Sequence, residues 1–183
     1  MDQLQDEKTT YTGEQLSPSC FIARIQGEIV MNAGELCNRQ VVTASRDTNV
    51  SEAAQLMRDK HVGSLIIVEE RDNHVEPIGI LTDRDIVIEV LAEKVDPEAV
   101  TVGDIMTSAV IKVCEQDSIL DTAQRMRARG VRRVPVVSNQ CELVGVLAQD
   151  DILKLLSDEL SLLVQVTARE AEQEARKRSQ PCT

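Results

Sequence analysis

The sequence predicts a mixed α/β fold built from two copies of one β-α-β-β-α unit. The first observation is a repeat, in which eight residues of the first copy recur 69 positions later. They are Gly34, Val41, Ala54, Gln55, Met57, Arg58, Val62 and Val68, which match Gly103, Val110, Ala123, Gln124, Met126, Arg127, Val131 and Val137. The second observation is that the motif at residues 79–85 recurs at 145–151, so the offset falls to 66. The three-residue deletion falls where the first copy has residues 69–76 and the second copy has only 138–142. A turn is expected there, and turns tolerate changes of length.

The elements of each copy follow from the periodicity of the apolar residues. A short strand comes first, at 41–43 and 110–113. A helix follows, with Asn49 and Ser118 predicted as N-caps that form capping boxes with Glu52 and Asp121. Two strands come next, at 64–68 and 78–81 in the first copy and at 133–137 and 143–147 in the second. Closing helices begin near residues 83 and 150, and each copy is too small for a core of its own, so the two should pack together.

The chain divides into five segments. Residues 1–33 form a polar, partly disordered extension, 34–94 the first repeat, 95–102 a linker, 103–157 the second repeat, and 158–183 a C-terminal helix and charged tail. An apolar stripe runs along the last helix through Ile152, Leu156, Leu160 and Leu163, past the end of the repeat. Such a stripe needs a cover. Either the N-terminal extension or a second chain could provide it.

Composition excludes several classes of protein. The net charge of −11 and the aromatic content of 1% argue against nucleic-acid binding, since a phosphate backbone would be repelled and stacking platforms are scarce. No apolar run approaches the ~18 residues of a membrane helix. Five cysteines, an odd number without a C-x-x-C pair, predict no disulfide framework and a reducing cytoplasm. Two histidines cannot build a multi-histidine metal site, and no catalytic motif is present, so neither a metal nor an enzyme activity is expected.

The motif at residues 79–85 is the strongest candidate site. A buried strand is followed there directly by a helix whose predicted N-cap is Thr82. The unpaired backbone N–H groups at such a helix N-terminus bind anions readily. Thr82 and Asp85 also have the spacing of a capping box, which needs no ligand. Both interpretations remain open from the residues alone. His61 is interpreted as support for a helix C-terminus rather than as a catalytic group.

Four places in each copy resemble the cystathionine-β-synthase (CBS) domain. They are the openings at 34–36 and 103–106, the helices holding residues 54–58 and 123–127, the strands at 64–68 and 133–137, and the Gly-hydrophobic-hydrophobic-Thr-x-x-Asp loops. The resemblance is to a tandem CBS pair of the stand-alone bacterial type and covers residues 34–157. The first copy departs from the family by having Ile66 where proline is usual, and the second has Ala148 in place of the threonine.

The resemblance implies two copies packed about a pseudo-twofold axis with two clefts for an adenosine compound such as AMP, ADP, ATP, NAD or S-adenosylmethionine. Thr82 would then face phosphate and Asp85 the ribose hydroxyls, with Ala109 and Val131 opposite them. Gln40 and Val62 would lie opposite Asp151, and Arg133 would stand near phosphate. The full set of candidate residues is Thr82, Asp85, Arg84, Ile80, Ala109, Val131, Asp151, Arg133, Val62 and Gln40.

The function implied is a regulatory module without catalysis, located in the cytoplasm, forming a homodimer and acting on a separate effector protein. One alternative is a purely structural dimerisation module in which Thr82 and Asp85 only cap a helix. The other is a redox or metal sensor built on the cysteines.

Overall fold

Two three-stranded sheets, one from each repeat, form the frame of the protein. The computed structural model describes residues 31–71 and 74–178. The first repeat contains α1 (Ala33–Leu36), β1 (Thr43–Ser45), α2 (Val50–Lys60), β2 (Ser64–Arg71), β3 (His74–Thr82) and α3 (Asp83–Asp85), which continues as a π-helical turn, Ile86–Leu91. After a 3-10 turn, Pro97–Ala99, the second repeat contains α4 (Val102–Ile105), β4 (Val113–Cys114), α5 (Ile119–Arg129), β5 (Arg133–Val137), β6 (Leu143–Ala148) and α6 (Gln149–Arg178).

The two sheets have the same topology. In each, the first strand pairs in parallel with the second, and the second pairs antiparallel with the third. The register shifts at equivalent places, between Ile67 and Val68 in one sheet and between Val136 and Val137 in the other. The predicted fold class, two β-α-β-β-α repeats, is therefore confirmed.

Each repeat begins with a short helix that packs on the sheet of the other repeat. Ala33 of α1 is fully buried in a cluster with Val134 and Leu147 of the second sheet. Val102 of α4 is fully buried with Leu65 and Leu81 of the first sheet. The backbone bonds are reciprocal as well: the N–H of Gly34 donates to the Glu115 carbonyl at 2.9 Å, and that of Gly103 donates to the Arg46 carbonyl at 2.8 Å. This exchange relates the two repeats by the expected pseudo-twofold axis.

The glycine of each Gly-x-x-Thr/Ala motif lies where a chain from the other repeat crosses the strand. A Cβ atom on Gly79 would stand 2.5 Å from the Met106 sulfur, and one on Gly145 would stand 2.5 Å from the Cys37 sulfur. Such separations are far below van der Waals contact. Glycine is required here for close packing between repeats, whatever the neighbouring residues bind.

Some local predictions were wrong. The first strands begin at Thr43 and Val113, two to three residues later than predicted, because the parallel register with the second strand starts there. Of the earlier residues, Val42 still accepts from the Ile66 N–H at 3.1 Å. Asn49 and Ser118 do cap their helices, accepting from the Ser51 and Asp121 N–H groups, but the expected return bonds from Glu52 and Asp121 do not form. The first closing helix becomes π-helical after one turn.

The cysteines also differ from the sequence expectation. Cys114 is disulfide-bonded. The odd number of cysteines did not exclude this, since two thiols can pair while others stay free. Cys37 and Cys141 are free. Burial raises the pKa of the Cys37 thiol, which therefore stays protonated in its place against Gly145.

The last helix is long, as predicted, and extends well past the second sheet. Its apolar stripe is exposed: Leu156 is 49% exposed, Leu160 62% and Leu163 65%. Near its end, Glu174 and Arg178 form an i, i+4 ion pair at 3.3 Å. The N-terminal extension was the other predicted cover for this stripe. Its residues 1–30 lie outside the described part of the chain. None of the described helices has both the length and the apolar character needed to cross a membrane.

Candidate functional site

A cavity of about 260 Å³ lies between the two repeats on the side of Asp151. The segment before β1, the junction of α2 and β2, the start of β5 and the end of β6 all contribute to its wall. The lining residues are Asn38, Gln40, Val41, Val42, His61, Val62, Gly63, Ser64, Ile66, Arg133, Val146, Ala148 and Asp151. The structure thus brings together four residues that the resemblance placed in one cleft, namely Gln40, Val62, Arg133 and Asp151.

The position of Gln40 follows from the crossing at Asn38. Asn38 and Val146 exchange two backbone hydrogen bonds of 2.9 Å, which hold the segment of the first repeat against β6 of the second. The Asn38 side chain then accepts from the Gln40 N–H at 2.9 Å and turns the chain along the cavity wall. Backbone from one repeat is therefore fixed opposite the helix terminus of the other.

Asp151 sits at the start of α6 and keeps part of a cap. Its Oδ2 accepts from the Ala148 N–H at 2.9 Å. Because Ala148 has no hydroxyl, the reciprocal bond of a capping box cannot form. Arg133 begins β5 and is partly buried, so its positive charge lies at the wall of the same cavity. A carboxylate that accepts O–H donors and a guanidinium that binds anions are thereby combined in one cavity.

The equivalent junction in the first repeat forms a complete capping box. Asp85 Oδ2 accepts from the Thr82 N–H at 2.8 Å and from its hydroxyl at 2.7 Å, and the Thr82 hydroxyl accepts from the Asp85 N–H at 3.2 Å. Among the described residues, none donates to Asp85 Oδ1. The capping interpretation is therefore correct for this pair, and one carboxylate oxygen remains able to accept from a diol.

The other residues of the first cleft surround this junction less closely. Ile80 exchanges backbone bonds with Thr107, which brings the chain that leads to Ala109 alongside β3. Ala109 and Val131 are exposed. Arg84 is exposed too, and its backbone N–H donates to the Asp83 side chain at 2.8 Å. Two-fold correspondence relates Ala109 and Val131 to Gln40 and Val62 of the second cleft.

Nine of the lining residues were not among the predicted site residues, and three of these nine have polar side chains: Asn38, His61 and Ser64. His61 caps the C-terminus of α2 in the left-handed conformation, with φ of 55°. The sequence indicated the helix end but not that this backbone conformation places His61 at the cavity. The sequence did contain a signal for His61: it directly precedes Val62, which the repeat had already placed in the cleft.

One ion pair outside the clefts ties the two repeats together. Lys112, just before β4, contacts Glu76 of β3 through an N–O distance of 2.6 Å. This hydrogen bond from Lys112 lowers the pKa of the Glu76 carboxyl, with a smaller contribution from Arg71. At neutral pH the contact is therefore between two charged groups.

The CBS domain family matches this chain twice, over residues 33–92 and 102–158. The chain belongs to the CBS domain family. Protein MK0525 of Methanopyrus kandleri is 38% identical over 125 residues, which are 68% of this chain and 62% of MK0525. The glycine betaine/carnitine/choline transport ATP-binding protein OpuCA of Bacillus subtilis is 30% identical over 126 residues, 69% of this chain but 31% of OpuCA. The CBS chain thus spans less than two thirds of the length of either relative.

Solved CBS structures have the same fold. Hypoxic Response Protein I, crystallised with two coordinated zinc ions, is 35% identical with a TM-score of 0.58, covering 67% of this chain and 97% of that one. The CBS domain pair of protein MJ0100, crystallised with 5′-methylthioadenosine and S-adenosyl-L-methionine, is 26% identical with a TM-score of 0.62, covering 71% and 98%. In the part of the chain described here, no group of three or more His, Cys, Asp or Glu residues is arranged to hold a metal ion.

Proposed function

We propose that this CBS protein is a regulatory module that binds an adenosine compound between its repeats and acts on a separate effector protein. The observation that carries the proposal is the cavity between the repeats, in which Asp151 and Arg133 face Gln40 and Val62. The ligand is one of AMP, ADP, ATP, NAD and S-adenosylmethionine. The MJ0100 pair, crystallised with two adenosine compounds, supports this ligand class.

The chemistry of the two helix termini supports the same class. A carboxylate at the start of a helix accepts two O–H donors from a ribose, while the neighbouring N–H groups favour phosphate. Asp85 and Asp151 both occupy that position. We propose for the module the role of a sensor rather than a catalyst, because the donors and acceptors of the cavity are arranged for binding. The effector would be a separate protein, and the cytoplasmic location remains a prediction.

Thermal unfolding with a panel of these five adenosine compounds tests the proposal most directly. A ligand at 100 times its dissociation constant adds about 2.7 kcal/mol, which for a domain of this size raises Tm by about 5–10 °C. Calorimetry then gives the stoichiometry, with two as the upper limit if both clefts bind. Guanosine monophosphate serves as a control for nonspecific phosphate binding. If no adenosine compound shifts the transition at millimolar concentration, the nucleotide-sensing function is wrong.

A second candidate function, dimerisation, rests on α6. Ile152 packs against the core of the second repeat, and beyond it the exposed residues Leu156, Leu160 and Leu163 continue the stripe along one side of the helix. About half or more of each side chain is exposed, so burial against a partner would contribute about 1–2 kcal/mol per residue before association costs. We propose a homodimer in which a second copy covers this stripe, since a twofold interface is self-complementary.

Light scattering on the full chain tests the homodimer. The wild-type protein should have twice the mass of one chain, and Leu160→Glu should give the monomer mass because it places a charge within the stripe. Gln173→Glu, on the charged end of the same helix, is the control and should leave the dimer intact. A monomeric wild-type protein at micromolar concentration contradicts the proposal. The dimer without any nucleotide response would favour the purely structural module.

The third alternative, a cysteine-based redox or metal sensor, has weaker support. Cys37 is buried with a raised pKa, which disfavours the reactive thiolate. Thiol titration and metal analysis of the purified protein test this alternative directly.

A further inference from the structure

The two clefts differ at the position that follows the central helix of each repeat. His61 ends α2 in the left-handed conformation and lines the cavity of Asp151. The equivalent residue of the second repeat, 69 positions on, is Gly130, which ends α5 in the same conformation, with φ of 65°. The pseudo-twofold relation places Gly130 toward the cleft of Asp85. One cleft therefore has an imidazole where the other has only a hydrogen atom.

The charges around His61 are well defined in the described part of the chain. Arg133 from β5 and Asp151 from α6 line the same cavity. Asp83 lies beside Gly63, another lining residue, with its Oδ2 3.1 Å from where a Gly63 Cβ would be. On its own helix, Arg58, Asp59 and Lys60 of the last turn are exposed to solvent. Among the described residues, none of these side chains makes a hydrogen bond or an ion pair with the imidazole of His61, which is exposed to solvent.

We infer that the Asp151 cleft binds the anionic part of its ligand in a proton-dependent way, with protonated His61 and Arg133 acting together on phosphate. This inference rests on the proposed nucleotide-binding function. Histidine is the side chain whose charge normally changes between pH 5 and 8, whereas arginine stays charged throughout. A protonated His61 would give this cavity a second cation beside Arg133. The Asp85 cleft has Gly130 in the equivalent place, which supplies no imidazole, so we expect the two clefts to respond differently to pH.

The test needs a ligand whose own charge is constant over the pH range. NAD meets this requirement, because the phosphates of its diester linkage do not titrate near neutrality, unlike the terminal phosphate of AMP, whose second pKa is close to 6. Adenosine is the uncharged comparison. Isothermal calorimetry at pH 5.5 and pH 8.0 on the full chain, with both probes, separates the effect of charge from any effect on adenosine recognition.

The variants are His61→Asn and His74→Asn. Asparagine tolerates the left-handed conformation and preserves the helix end while removing the titrating group. His74 begins β3, does not line the cavity and is the only other histidine in the chain, so it is the matched control. Thermal melts without ligand establish that both variants fold.

We expect NAD to bind about three- to tenfold more tightly at pH 5.5 than at pH 8.0 in the wild-type protein and in His74→Asn. In His61→Asn the affinity for NAD should be the same at both pH values, and adenosine should show no dependence on pH in any variant. An equal pH dependence in His61→Asn and wild type, or none in wild type, overturns the inference while leaving nucleotide binding intact. If neither probe binds at either pH, the inference is overturned, whereas the proposed function fails only if the thermal panel also shows no shift with any adenosine compound.

Discussion

Replacing Asp85 by alanine separates the two roles that its position allows. If Asp85 only caps the helix, Asp85→Ala should lower stability and leave nucleotide binding unchanged. If it also accepts ribose hydroxyls, as we propose, the same substitution should remove binding at its cleft. The hydrogen bonds between Thr82 and Asp85 show which contacts the substitution removes, so its effect on stability can be estimated.

The stability effect follows from the capping box. Asp85 Oδ2 accepts two hydrogen bonds from Thr82, at 2.8 and 2.7 Å, and alanine removes both. The Thr82 hydroxyl still accepts from the residue 85 N–H, so half of the box survives. Loss of a helix cap costs about 0.5–2 kcal/mol, and we expect a value near the middle of that range. Chemical denaturation measures it.

The chain offers a matched control for the binding effect. Thr101 and Asp104 form the same box at the start of α4, with Asp104 Oδ2 accepting at 2.9 Å from the Thr101 N–H and at 2.7 Å from its hydroxyl. These bonds lower the pKa of Asp104. Asp104→Ala should therefore reduce stability by the same mechanism and leave nucleotide binding intact, since Asp104 lies at neither helix terminus of the clefts.

Calorimetry with the most stabilising nucleotide of the panel decides between the roles. We expect Asp85→Ala to lose one binding event, with affinity at that cleft reduced at least tenfold, and Asp104→Ala to retain the wild-type isotherm. Unchanged affinity and stoichiometry in Asp85→Ala would refute the reasoning and leave Asp85 with a purely structural role.

Three further predictions concern the frame of the protein. Gly145→Ala should destabilise it by about 1–3 kcal/mol, because the new methyl group meets the Cys37 sulfur at 2.5 Å; unchanged denaturation would contradict this close approach. Thr122→Val should be neutral or stabilising by up to about 1 kcal/mol, because the fully buried Thr122 hydroxyl finds no hydrogen-bond partner among the described residues; a clear loss of stability in denaturation curves would reveal one. The lowered pKa of Glu76 stabilises the fold above the ordinary glutamate pKa, and this contribution disappears as pH falls through the folded-state pKa. In Lys112→Met the free energy of unfolding should therefore fall less steeply with decreasing pH below about pH 4.5 than in wild type. Parallel curves of unfolding free energy against pH for the two proteins would argue against the contact.

Local chemistry was predictable from the sequence where one short segment decides it. The Thr82–Asp85 box, the caps at Asn49 and Ser118, and the strand at Arg133–Val137 each depend on neighbours within a few residues. The repeat supplied the sheet topology, because two copies of one pattern must fold alike.

The parts that could not be predicted depend on contacts between the repeats. Residues 41 and 42 have the composition of a strand, yet they line the cavity because the crossing at Asn38 fixes them there. Nothing near Ala33 or Val102 indicates which sheet will cover the short helix that carries it. The place of His61 in a cleft likewise depends on a left-handed backbone that histidine seldom adopts.

The exchange of the two lead helices has a consequence for how this chain can be divided. Cutting at the linker would give a first half whose sheet lacks Val102 and a second half whose sheet lacks Ala33, although both residues are fully buried in the intact protein. Each half would expose the apolar face of its sheet, because the short helix that covers this face belongs to the other half. Unfolding should accordingly be a single all-or-none transition, without a state in which one repeat survives alone. A single repeat made as a separate polypeptide would regain a complete core by pairing with a copy of itself about a twofold axis, and a duplication that joined two such copies would have turned that assembly into one chain.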